Sequence, residues 1–303
     1  MAFENIIGNS KNKKVLTNII EKNKILHCYL FSGKSGIGKK LFAKEFAKMI
    51  LCQNQDKKSC NTCKSCIEFE SNNNPDFNIV VPDGNSIKIE QIRFMQSKAY
   101  EKPIISNRKV YIIDEAERMT KEAQNCLLKT LEEPSDYITI IIICCLENNL
   151  LSTIKSRCMK LAFNKLDDEE IKMYLREKFG IEHIDNDIIK VFDGSLGNAV
   201  LFKDKIDIYK QVRDIIYNID KKDIVDILNS AECLYKNKDD IYELLDYINI
   251  VLFDLLKERK YNNKYLKCIN ICENTKIKLK SNNNFDMTID DLLISVWEEI
   301  NKC

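Results

Sequence analysis

Glycine and proline are scarce in this sequence: eight and four of 303 residues, about 4% where ~12% is ordinary. Few residues therefore break helices or force turns, which excludes a loop-rich chain and favours a helix-rich fold with short connections. Long apolar runs are missing too. The longest, Ile140 to Leu146, is far short of the ~20 residues that cross a bilayer. The opening MAFENIIGNSKNKK has no apolar core of the kind a signal peptide carries, so a cytoplasmic protein without membrane attachment is expected. An excess of one charge is absent as well: 47 basic and 46 acidic side chains leave a net charge of +1. No global field draws the chain to nucleic acid, so any contact with DNA has to be local or shared with partners.

Hydrophobic residues make up 45% of the chain and charged residues 31%, the balance of a globular protein with room for two or three domains. Five short apolar runs read as strands, at 28–32, 78–81, 110–114, 139–145 and 159–163. They are separated by helical stretches such as 39–51 and 120–133. Buried strands that alternate with helices point to a parallel sheet covered on both faces. In the 120–133 stretch, Thr120 is the expected N-cap, Ala123, Leu127 and Leu131 form one apolar stripe, and Pro134 ends the helix. After about residue 164 the strand signal stops. Short helices follow to Gly197, then about five amphipathic ones from Lys205 onward. The best patterned of these, 241–257, carries Tyr242, Leu245, Ile248, Leu252 and Leu256 on one stripe. The fold class is thus α/β followed by all-α.

Three groups of residues carry chemistry. Gly33-Lys34-Ser35-Gly36-Ile37-Gly38-Lys39 lies between a strand and a helix and satisfies GxxxxGK, a loop whose amides and lysine cradle phosphates. The next residue, ordinarily a hydroxyl ligand of Mg²⁺, is Lys40, which has no lone pair to give and repels a cation. About 75 residues on, the apolar strand 110–113 ends in Asp114 and Glu115, the Walker-B arrangement of one carboxylate for Mg²⁺ and one for the attacking water. Four of the thirteen cysteines, Cys52, Cys60, Cys63 and Cys66, are spaced C-x7-C-x2-C-x2-C. Without an export signal, disulfides are not expected. Four thiolates with two tight steps suit a closed, structural Zn²⁺ site, with a redox pair or free thiols as the alternatives.

With these residues in hand, the chain resembles the clamp-loader branch of the AAA+ family over essentially its whole length. The resemblance rests on the altered phosphate loop, the four-cysteine insertion, the run Asn125-Cys126-Leu127-Leu128-Lys129-Thr130-Leu131-Glu132-Glu133-Pro134, the tripeptide Ser156-Arg157-Cys158 and the helical C-terminal third. It implies three domains: a RecA-like AAA+ domain over 1–163 with its zinc module within 52–66, a small helical lid over 164–204, and a helical collar over 205–303. It further implies that Arg157 is an arginine finger, acting in trans on a neighbouring subunit's ATP site. The family's motor subunits, gamma or tau, differ from this chain at three positions. They have Thr or Ser where Lys40 stands, a hydroxyl residue where Cys144 and Cys145 stand, and an arginine where Gly197 stands. The resemblance therefore implies a non-catalytic, stator-like member whose ATP/Mg²⁺ site is not used productively. Its implied partners are gamma or tau and delta in a hetero-pentamer, and through that ring the sliding clamp and primed DNA of a DNA polymerase III. The alternative is an ATP-hydrolysing motor subunit with an unusual loop.

Overall fold

A computed structural model describes residues 3, 6–54, 59–259, 263–281 and 284–302. The chain divides into two compact units, one of residues 1–170 with 194–197 and one of residues 171–193 with 198–303.

In the first unit the strands are β1 (Cys28–Ser32), β2 (Phe77–Val80), β3 (Lys109–Ile113), β4 (Ile138–Cys144) and β5 (Met159–Ala162), each within about a residue of its expected place. They form one parallel sheet in the order β2-β3-β4-β1-β5. Side chains of a strand alternate between its faces, and the core divides accordingly. Tyr29, Phe31, Val110, Ile112, Ile141 and Ile143 pack on one face with α1 (Ser10–Glu21) and α2 (Lys39–Leu51). Cys28, Leu30, Tyr111, Ile113, Ile140 and Ile142 pack on the other with α4 (Ile89–Ala99), α5 (Lys121–Glu132) and α6 (Ser152–Arg157). Burial on both faces is why these strands read as unbroken apolar runs. Thr120 caps α5 as expected, its side chain accepting the Ala123 N–H. Because all strands run the same way, the loops after β1, β3 and β4 meet at one edge of the sheet, beside the strand crossover where α/β folds place their ligands.

A short helix α3 (Lys64–Glu70) belongs to the cysteine-bearing insertion. Asp76, 1% exposed, holds it to the sheet. The carboxylate accepts backbone N–H groups from Ile104, Ile105 and Ser106 at 2.7, 2.8 and 2.7 Å. Ser106 Oγ lies 2.9 Å from Ser65 Oγ, and Asn74 donates to the Ser65 carbonyl at 2.9 Å.

The second unit contains no strand among its described residues. It has α7 (Asp168–Phe179, entering it at Ile171), α8 (Asn186–Phe192), the end of α9 (Leu196–Phe202), α10 (Ile206–Tyr217), α11 (Ile224–Ser230), α12 (Glu232–Lys236), α13 (Ile241–Glu258), α14 (Asn263–Lys280) and α15 (Phe285–Asn301). Among the described residues six α-helices follow Lys205 rather than about five, because the chain turns at Ala231, which ends α11 and starts α12. The expected stripe on α13 also needs correction. Tyr242 is 40% exposed, while Leu244, Tyr247, Val251 and Leu255 are buried beside Leu245, Ile248, Leu252 and Leu256. Helices α8, α10 and α14 surround α13, so it is a central helix and not a one-sided one. The Tyr247 hydroxyl donates to Asp187 at 2.6 Å, anchoring it to α8. No described helix is long and apolar enough to cross a membrane.

Asp76→Ala leaves three backbone donors without their acceptor, and is expected to destabilise the first unit by on the order of 3 kcal/mol. A urea melt followed by tryptophan-independent far-UV signal measures this; an unchanged midpoint would show that the carboxylate does not hold the 104–106 segment.

Candidate functional site

The phosphate-type loop forms between β1 and α2 as its glycines require. Gly38 sits at φ 93° as the N-cap of α2, a conformation that costs glycine nothing. Lys39 is 5% exposed. Its Nζ donates to the carbonyls of Gly33 and Lys34 at 2.6 Å each and lies 3.5 Å from Cys145 Sγ. The loop lysine is thus turned onto its own loop.

Lys40 extends from the first turn of α2 to Asp114 at the end of β3, Nζ to Oδ2 2.9 Å. The carboxylate expected to hold a divalent cation holds an ammonium group instead. Glu115, at φ 49°, is paired with Arg118 at 2.7 Å. Arg118 is fixed in turn by the carbonyls of Gly84 and Asn85, at 2.9 and 3.1 Å. Both acidic groups at this strand end therefore have a cation from the chain itself. Cys144 is buried at the end of β4, and burial, followed by the nearby Glu117 carboxylate, pushes its thiol up to about 12. Cys145 turns its backbone N–H to Glu117 Oε1 at 3.1 Å.

Gly197 contacts the loop directly. Its N–H donates to the Gly36 carbonyl at 2.9 Å, and a Cβ at Gly197 would lie 2.9 Å from Gly36 Cα. A side chain at residue 197 has no room against this backbone, and the segment closes directly on the loop.

Arg157 lies elsewhere. It ends α6, just before β5. Because β5 runs parallel to its neighbour β1, Arg157 sits at the start of the strands and the glycine loop at their far end, roughly 15 Å along the sheet at ~3.3 Å per residue. The guanidinium donates to Glu132 at 2.8 Å and to the Thr153 carbonyl at 2.9 Å, and it is about one-third exposed. It is held at the surface by these contacts, away from its own loop.

The four cysteines do come together. The sulfurs of Cys52, Cys60, Cys63 and Cys66 all lie within 4.8 Å of one another, against about 3.8 Å for the corners of a tetrahedron around an ion bound at ~2.3 Å. None is in a disulfide. The Cys60 N–H donates to Cys52 Sγ at 3.4 Å and the Cys63 N–H to Cys60 Sγ at 3.2 Å, bonds that favour the thiolates a metal needs. The Thr62 hydroxyl and backbone N–H groups bring the Cys60 thiol down to about 5, whereas burial raises Cys66 and Cys52. This cluster can hold a metal ion.

The reading of the sequence brings Gly33, Gly38, Lys39, Asp114 and Glu115 to one edge, where the structure has them. It misses Arg118 and Glu117. Arg118 stands three residues after Glu115, a spacing that signals an ion pair on a turn of helix; nothing local marks Glu117.

A sequence model described as "DNA polymerase III, delta subunit" matches residues 8–167. The DNA polymerase III subunit delta' of Bacillus subtilis (strain 168) is 41% identical over 165 residues, 54% of this chain and 50% of that protein. The DNA polymerase III subunit gamma/tau of Mycoplasma pneumoniae is 33% identical over 220 residues, 70% of this chain and 32% of that one. The matches thus span half or less of these relatives. A solved DNA polymerase III gamma subunit-related protein from Thermotoga maritima aligns at 18% identity and TM-score 0.48, covering 94% of this chain and 98% of that one. The family match takes in the whole sheet together with the loop, Asp114, Glu115 and Arg157, and by it the chain belongs to the DNA polymerase III delta subunit family of clamp-loader proteins.

Proposed function

We propose that this chain is a delta'-type, stator-like subunit of a DNA polymerase III clamp loader, hydrolysing no ATP itself and completing the ATP site of a neighbour. The observation that carries this reading is the Lys40–Asp114 pair at 2.9 Å. Mg²⁺ needs oxygen ligands in near-octahedral array. At this site the hydroxyl ligand is replaced by a cation, and that cation sits on the carboxylate. The Arg118–Glu115 pair and the close contact of Gly197 with Gly36 support the same reading. Arg157, half-buried at the opposite edge and paired with Glu132, is the finger. Its charge is delivered where negative charge builds in a neighbour's transition state.

On this reading residues 164–204 act as the lid and 205–303 as the collar that joins gamma or tau and delta subunits into a five-membered ring, in the cytoplasm. The ring, not this chain alone, engages the sliding clamp and primed DNA. The metal held by Cys52, Cys60, Cys63 and Cys66 is Zn²⁺, a closed four-thiolate site that orders a polar insertion and leaves no position for a substrate.

The motor reading has its own support: Lys39, Asp114 and Glu115 are all present, and gamma/tau relatives are as much as 34% identical over two-thirds of the chain. Calorimetric titration with ATP separates the two. The unaltered chain is expected to bind weakly or not at all, with no dependence on Mg²⁺, and tight Mg²⁺-dependent binding would assign it to the motors. Lys40→Thr is expected to introduce a preference for Mg·ATP over ATP of about tenfold or more, by freeing Asp114 and restoring a hydroxyl.

In a loader reconstituted with its ring partners, Arg157→Ala is expected to slow turnover at the adjoining site by about 10³-fold while this chain stays folded. Undiminished turnover in that complex would remove the finger from the mechanism. For the metal, elemental analysis of the purified chain should give one zinc, lost in Cys63→Ser. Equal zinc in the variant would break the four-cysteine assignment.

A further inference from the structure

Cys158, the residue after Arg157, has a second cysteine beside it. The register pairs Tyr29 of β1 with Met159 of β5, so one step back Cys28 and Cys158 are neighbours on adjacent parallel strands. Both belong to the same face of the sheet: Cys28 is a core member of the cluster under α4, α5 and α6, and Cys158 packs against it. Adjacent strands run about 4.8 Å apart, inside the Cα separation of about 4.4–6.8 Å that a disulfide spans. The pair is also asymmetric, since Cys28 is 1% exposed and Cys158 is only partly buried.

We infer that Cys28 and Cys158 form an oxidisable dithiol, which a peroxide-class oxidant closes to a disulfide across β1 and β5 next to Arg157. The chemistry follows the asymmetry. The Cys158 sulfur, the accessible one, attacks a peroxide oxygen, the O–O bond breaks, and a sulfenic acid forms with release of water. The Cys28 sulfur then attacks the sulfenic sulfur. The S–O bond breaks, the S–S bond forms, and the hydroxyl leaves with the Cys28 proton as a second water. Two thiols and one peroxide give one disulfide and two waters. The register holds the two backbones side by side, within the Cα separation that a disulfide spans. This does not depend on the role proposed for Arg157 or on the state of the loop.

The test uses the full chain with its metal retained. It is treated with hydrogen peroxide, alkylated under denaturing conditions and digested with trypsin. The expected product is peptide 25–34 joined to peptide 158–160, two hydrogens lighter than their sum and separated by dithiothreitol. In Cys28→Ala, Cys158 has no resolving thiol and is expected to react with dimedone or proceed to sulfinic acid. If the unaltered chain instead gives Cys158 trapped by dimedone with Cys28 fully alkylated, the proposal is wrong. It is equally wrong if Cys158 is found joined to a cysteine other than Cys28. Should Cys28→Ala not fold, the digestion of the unaltered chain still decides.

Discussion

The Lys40 ammonium lies 2.9 Å from Asp114, and the rest of the loop edge is arranged around that contact. As a contribution to stability it is small: Lys40 is about half exposed, and surface ion pairs are worth about 0–1 kcal/mol. Its importance lies in which atoms it uses. The Asp114 oxygen that accepts from this tethered ammonium has a counter-charge that cannot diffuse away. Arg118 does the same for Glu115, and Lys39 spends its donors on the carbonyls of Gly33 and Lys34. Charge is balanced at this edge by the chain's own side chains.

The direction of the strands separates the glycine loop from Arg157. A parallel sheet sends all of its carboxyl-end loops to one side, and Arg157 precedes a strand whereas the glycine loop follows one. That arrangement puts the arginine and the glycine loop at opposite edges of the sheet. On the proposed reading, a subunit can therefore lose its own nucleotide chemistry without losing what it supplies to its neighbour, because no side chain belongs to both edges.

Much of this was legible in the sequence, for local reasons. Parallel strands buried on both faces are continuous apolar runs, so their ends can be read to within about one residue. Thr120 and Pro134 bracket α5, and the two CxxC steps foretell the cysteine cluster. What could not be read depends on residues far apart in the chain. The partner of Lys40 is 74 positions away, and Glu117 meets Cys145 only once β3 and β4 are side by side. Gly197 reads as a missing arginine, although the tighter constraint is its backbone contact with Gly36. The burial of α13 on several sides arises from the three helices around it, which no stripe on α13 itself encodes.

The Asp76 carboxylate has a consequence for the border of the sheet. β2 is an edge strand only four residues long, and an edge presents unpaired N–H and C=O groups to any stray strand in solution. Asp76 immediately precedes it. Through Ser106, Ser65 and Asn74 that residue ties β2 to the cysteine-bearing segment, and Phe69 of α3 packs on Phe77 with ring centroids 4.4 Å apart. The insertion thus acts as a guard on the margin of the fold. Loosening it would leave a short edge strand without its brace, so self-association should be among the first signs that this corner has come undone.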